Sequence, residues 1–152
     1  MPFDRLVKHV DEWALNSKTA GTAQIGNSAY VTRALVSVPS FLPDEFRAKV
    51  AACDVLIGHA GMGTVLTGLE FGKPMILFPR LMHLKETRND HQVATLKWLQ
   101  KRIGIYPAFS EVELDSILRD VADGKNLVPP DAVSESDASG GLISGLRDFI
   151  RL

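Results

Sequence analysis

Phe3, Leu6, Val7, Val10, Trp13 and Ala14 recur at the three- and four-residue spacing of one helical face, with charged residues between them. That pattern predicts an amphipathic helix over 2–16. Pro2 suits its first turn, where a missing N–H is not needed. Two short strands are then expected, at 22–26 and within 30–38, the second rich in Val. Pro39 and Pro43 punctuate the connection to a helix over 44–53, and Val55, Leu56 and Ile57 form an apolar run of buried-strand length. A glycine-containing turn over 58–63, a helix to about 71 and a strand over 75–78 repeat this order. Gly72 before Lys73 and Pro74 stops that helix. A long loop over 79–87, a helix over 88–102 and a strand over 103–106 follow. Ser110 and Glu113 form a capping-box pattern that opens a helix through 123. Pro, Ser and Gly predict a loop over 126–141, and Leu142 to Ile150 reads as a final amphipathic helix.

Alternating strands and helices with continuously apolar central strands predict an α/β fold, a Rossmann-like parallel sheet covered by helices on both faces. The chain opens on a helix, whereas such a fold starts on a buried strand. The first strand is therefore expected to be missing, with an altered sheet edge, or supplied by something else.

Composition narrows the class. The 152 residues make one domain, and 45% hydrophobic with 23% charged residues fits a globular chain. A net charge of −1 gives no footprint for nucleic acid. Cys53 is the single cysteine and has no internal disulfide partner. No apolar run approaches the roughly 20 residues of a membrane span, and Asp4 and Arg5 stand where a signal peptide would need an apolar core. The expectation is a soluble cytoplasmic domain.

In an open parallel sheet, ligands bind beyond the carboxyl ends of the strands. The most informative turn there is Gly58-His59-Ala60-Gly61-Met62-Gly63-Thr64. It has neither the P-loop lysine nor the G-x-G-x-x-G spacing. Its small residues instead let backbone N–H groups approach a ligand at a helix N-terminus, which favours a phosphate. Thr64 adds a hydroxyl and His59 a ring N–H. The bland alternative makes the glycines structural and His59 a helix cap.

The run from Asp54 to Pro74 resembles the nucleotide-diphosphate motif in the C-terminal half of family 28 glycosyltransferases, which have the two-Rossmann-domain architecture called GT-B. The closer likeness is to stand-alone small subunits of two-part UDP-sugar transferases, of exopolysaccharide or dolichol-linked N-acetylglucosamine type. Those chains share His-Ala-Gly-x-Gly, Glu-x-Gly-Lys-Pro, Gln-x-Gly-x-Ser (Gln24 to Ser28 here) and Asn-Asp-His-Gln (Asn89 to Gln92 here). The resemblance spans roughly 2–122. It implies that Ser40, Phe41 and Leu42 hold uracil, and that His59, Gly61, Gly63 and Thr64 contact the diphosphate. By the same likeness Asn89, Asp90 and Gln92 bond the donor sugar's hydroxyls, and Gly26, Asn27 and Ser28 face the cleft between two halves. Fixed N–H donors stabilise a leaving diphosphate without a metal, so no cofactor is expected.

Many relatives carry a ribose-binding Glu where this chain has Thr67. Glu70 is the substitute candidate, about 4–5 Å further along the helix axis, with a salt bridge to Lys73 as its competing role. Asp90 has helix capping as its alternative. His83 and His91 lack further ligands at metal spacing, so no metal site is expected. No residue declares itself the catalyst, and His59 and Asp90 are the candidates the chain offers. Arg80, Lys85 and Arg88 form a basic loop near the expected diphosphate.

The resemblance thus implies the UDP-sugar-binding subunit of an inverting glycosyltransferase in polysaccharide or lipid-linked glycan synthesis. A membrane-associated partner would supply the acceptor half and hold the subunit peripherally at the membrane, and a homo-oligomer is allowed. The rival readings are a non-catalytic nucleotide-sugar-binding or scaffolding module, and a sugar-nucleotide epimerase.

Overall fold

The computed structural model describes residues 1–130. The expected terminal helix at 142–150, and the loop beyond 130, lie outside the described residues. In chain order the elements are α1 (Asp4–Ser17), β1 (Thr22–Gln24), β2 (Val36–Val38), α2 (Pro43–Ala52), β3 (Leu56–His59), α3 (Met62–Glu70), β4 (Met75–Phe78), a 3-10 turn (Met82–Leu84), α4 (His91–Leu99), β5 (Ile105–Pro107) and α5 (Glu111–Ala122).

β4 is the axis of the fold. Its four residues are fully buried, and it pairs in parallel with β3 on one edge and β5 on the other. Side chains alternate across a strand, so Met75 and Leu77 enter one core with Val65, Leu69, Leu96 and Leu99 of α3 and α4. Ile76 and Phe78 enter the opposite core with Phe3 and Leu6 at the start of the chain and Leu114 and Leu118 of α5. The expected Rossmann-like sheet with helices on both faces is what the structure has. Gly68 allows α3 to lie close, because a Cβ there would sit 2.2 Å from the Met75 sulfur.

The described strands fall into two parallel sheets, in orders β1–β2 and β3–β4–β5. β1 has no partner besides β2, and β3 has none besides β4, so among the described residues the parallel strands do not join into one sheet. As an edge strand, β3 is half-buried along its whole length, unlike the central β4.

β1 and β2 are joined by residues 25–35 without a helix. Parallel strands need a long crossover, whose backbone donors must find partners. Asp11 supplies them. Its buried carboxylate accepts from the backbone N–H groups of Arg33, Ala34 and Leu35 at 2.9–3.1 Å and from the Tyr30 hydroxyl at 2.9 Å. Burial opposes its ionisation, but those four donors outweigh burial and bring the carboxyl down to about 2.

Local chemistry moves two expected boundaries and keeps a third. α1 starts at Asp4 rather than Pro2, because Phe3 turns inward at the N-cap and stacks on Phe78 with ring centroids 5.9 Å apart. α4 starts at His91 rather than 88, because the Asn89 carboxamide oxygen accepts from the His91 N–H and draws residue 89 out of the helix. Ser110 caps α5 by accepting from the Glu113 N–H at 3.3 Å, while Glu113 reaches back to the Phe109 N–H at 2.7 Å.

Candidate functional site

β3 ends at His59, and Gly61 is the N-cap of α3. Having no side chain, Gly61 accepts nothing from the first-turn N–H groups, and α3 begins without a side-chain cap. Those donors have no acceptor within the helix. Gly61 is small because the His59 ring lies against it: a Cβ there would be 2.0 Å from the imidazole Cε1. Gly63 differs, since a Cβ at that position meets nothing within 4 Å. Backbone N–H groups, helix dipole and open space therefore coincide at the carboxyl end of β3, an arrangement that suits a phosphate.

The His59 Nδ1 is buried with no hydrogen-bond partner. Burial first, and the Arg80 charge second, push the imidazole down from 6.5 to about 4. Such a ring is neutral at physiological pH, a poor base there and well suited to a hydrogen bond. It does not cap α3, contrary to the bland expectation. A lowered histidine pKa means the unfolded chain binds a proton first as pH falls, so stability drops from pH 6.5 toward 4. His59→Gln is expected to flatten that slope, read as the urea midpoint at half-unit pH steps. An unchanged slope would show that His59 titrates normally.

β4 leads into Pro79 and Arg80. The Gln92 carboxamide oxygen accepts from the Arg80 N–H at 3.1 Å, tying the start of α4 to this turn. Asp90 occupies the N-cap position of α4 but makes no capping bond. Its Oδ1 accepts instead from the Met82 N–H at 3.0 Å and closes the 79–90 loop on itself. The loop is also anchored from below. Glu86 is buried and takes both Nε and Nη2 of Arg5, at 2.9 and 2.8 Å, while Arg5 also donates to the Pro79 carbonyl at 2.9 Å. Asn89, Asp90 and Gln92 each use one oxygen for this scaffolding and keep their remaining polar atoms for other partners.

The turn after β1 reaches the same end of the molecule through α1. Gly26 adopts φ 61, open to the left-handed region, and a Cβ there meets nothing within 4 Å. Ser28 donates to Asp4 in the first turn of α1, next to the Phe3–Phe78 stack and the Arg5 network. Asn27 is exposed beside it. After β2, the Phe41 N–H is held by the Gln24 carboxamide at 3.0 Å, and Leu42 is exposed. Ser40 and Phe41 also line an open groove of about 490 Å3 with Val38, Glu45, Ala48, Lys49 and Ala52. No residue of the α3 turn lines that groove, so it is separate from the phosphate-type geometry.

Glu70 is not brought to the turn. It is the last residue of α3, about 10 Å along the axis from Gly63. Its ion pair is with Arg47 of α2, at 2.5 and 2.8 Å, not with Lys73 as expected. Thr67 bonds back to the Gly63 carbonyl at 2.9 Å. Among the described residues no group of His, Cys, Asp and Glu could hold a metal ion. None of their helices is long and apolar enough to cross a membrane. The residues that sequence reasoning missed are Asp11 and the Arg5–Glu86 pair. Asp11 had a signal: it falls at the spacing of Val7 and Ala14, inside the apolar stripe.

The family model described as the glycosyltransferase family 28 C-terminal domain matches residues 42–127, which include β3, α3, β4 and the 79–92 loop. Among solved structures, the chain is similar to one described as the glycotransferase of kitacinnamycin. The TM-score is 0.55 and the identity 19%, over 97% of this chain and 35% of that one. The chain therefore spans about a third of that structure's length, and at this identity the likeness is one of fold. No curated protein matches the chain.

Proposed function

Because the chain belongs to the family of glycosyltransferase family 28 C-terminal domains, we propose that it is the donor-binding half of a two-part UDP-sugar transferase. The observation that carries this is the uncapped N-terminus of α3, open at Gly63, at the carboxyl end of β3. The diphosphate lies against His59, Gly61, Gly63 and Thr64. Phe41 and Leu42 flank uracil. The free polar atoms of Asn89, Asp90 and Gln92 meet the sugar hydroxyls, and Gly26, Asn27 and Ser28 border the acceptor side. For Glu70 to accept the ribose hydroxyls, its carboxylate has to leave Arg47.

In the proposed inverting reaction the acceptor hydroxyl oxygen bonds to C1 of the sugar. The bond from C1 to the β-phosphate oxygen breaks, its electron pair leaves with UDP, and the hydroxyl proton passes to a base. Aligned N–H donors are worth most where that leaving charge develops. His59, with its pKa near 4, serves as a neutral donor rather than the base. A membrane-associated partner supplies the acceptor half and the lipid-linked substrate, with this chain peripheral on the cytoplasmic side.

Transfer of labelled sugar from UDP-sugar to membrane acceptors, by the chain alone and co-expressed with its captured partner, tests the proposal. Transfer is expected only with the partner. Full transfer by the chain alone would refute the half-enzyme reading. One observation favours a non-catalytic nucleotide-sugar-binding module instead: the strands fall into two separate sheets. UDP binding with no transfer in any combination would select that reading.

A further inference from the structure

Two arginines flank the Phe3–Phe78 stack, and they differ in one respect. The Arg5 guanidinium lies 4.1 Å from the Phe78 centroid and has all three nitrogens engaged, by Glu86, Glu111 and the Pro79 carbonyl. The Arg80 guanidinium lies 5.2 Å from the Phe3 centroid. Among the described residues its Nε is buried with no hydrogen-bond partner, and no carboxylate pairs with it. Glu86, the acid whose charge reaches Arg80, has both oxygens bonded to Arg5.

A half-buried cation without a counter-ion is costly, and proteins retain one where an anion completes it. Arg80 is held in place from two sides, by the aromatic face of Phe3 and by the Gln92 bond to its backbone N–H. It follows β4 directly, beside the strand that carries His59, and near enough for its charge to depress that imidazole. His59 Nδ1 is likewise buried without a partner. Two unpartnered nitrogens therefore lie at adjacent strand ends, and the His59 ring that carries one of them lies against Gly61 of the α3 turn. A planar guanidinium matches the paired oxygens of a phosphate.

We propose that Arg80 contacts the terminal phosphate of the bound nucleoside diphosphate, supplying the fixed positive charge that the α3 backbone lacks. This rests on the nucleotide reading above. It makes Arg80 a selector of diphosphate over nucleoside, and the group that meets the charge released as the sugar departs. The phosphate in turn gives Arg80 the counter-ion that Glu86, committed to Arg5, does not provide.

The test is an NMR-followed titration of the full chain with UDP, inorganic pyrophosphate and uridine, for wild type, Arg80→Met and Arg80→Lys. Methionine keeps the apolar stem on Phe3 and removes the charge. Arg80→Met is expected to weaken UDP and pyrophosphate at least about tenfold and to leave uridine within about twofold. Arg80→Lys should recover part of the loss, because it restores charge without the fork. In Arg80→Met the His59 ring should also titrate at higher pH, which verifies that the charge beside it has been removed. Unchanged UDP affinity in a folded Arg80→Met chain overturns the assignment, and so does an equal loss for UDP and uridine. A wild-type chain that binds neither UDP nor pyrophosphate overturns the nucleotide reading with it.

Discussion

Asp11→Ala is expected to lower the stability of the chain by about 3 kcal/mol or more, shifting the melting temperature down by roughly 10 °C. The carboxylate satisfies three backbone N–H groups and one hydroxyl in a site with no exposed surface. Truncation strands those donors in the crossover between β1 and β2, where no helix provides alternative acceptors. Asp11→Asn keeps the shape but turns an amide toward the N–H groups, and is expected to cost nearly as much. The acid limb is a second signature. A carboxyl lowered from 3.8 to about 2 gives stability that is present above pH 3.8 and lost as pH falls toward 2. The alanine variant should lack that loss. Chemical denaturation of both proteins between pH 2 and 5 checks it. Parallel pH curves would mean that Asp11 does not hold the crossover.

Gly63→Asp is expected to separate binding from folding. Its Cβ meets nothing within 4 Å, and an acidic side chain in the first turn of α3 is favoured by the helix dipole. The melting temperature should therefore stay constant or rise slightly. UDP affinity should fall by about a hundredfold or more, since like charges then meet at close range over the N–H donors. Uridine affinity should change little. Calorimetric titration with UDP beside a thermal melt gives both readings from one preparation. A UDP affinity within threefold of wild type would place the diphosphate elsewhere.

The central α/β unit was legible because its signals are local. Met75 to Phe78 are apolar without interruption between Pro74 and Pro79, and the strand has the expected bounds. β3 runs further than expected, through Gly58 and His59. A glycine in sequence suggests a turn, whereas here its backbone still pairs, opposite Leu77. The glycines at 61 and 63 were legible as a pair but not in their separate tasks. One makes room for the His59 ring and the other leaves space open, a distinction set by what lies across from each. Arg5 and Glu86 are 81 positions apart, and the contact of Arg47 with Glu70 crosses between helices. No periodicity encodes such pairs. Glu70 illustrates the consequence: its sequence neighbour Lys73 suggested one partner, and the packing of α2 on α3 supplied another.

The proposed function requires that a nucleoside diphosphate seat on the backbone of the α3 turn. The direct measurement is a 15N-resolved NMR titration of the full chain with UDP. The largest shifts are predicted at the amides of Gly61, Met62, Gly63 and Thr64, with the Arg80 side-chain N–H following at the same midpoint. Saturable shifts confined to the groove along α2 at Ala48, Lys49 and Ala52, with the α3 turn unmoved, would contradict it.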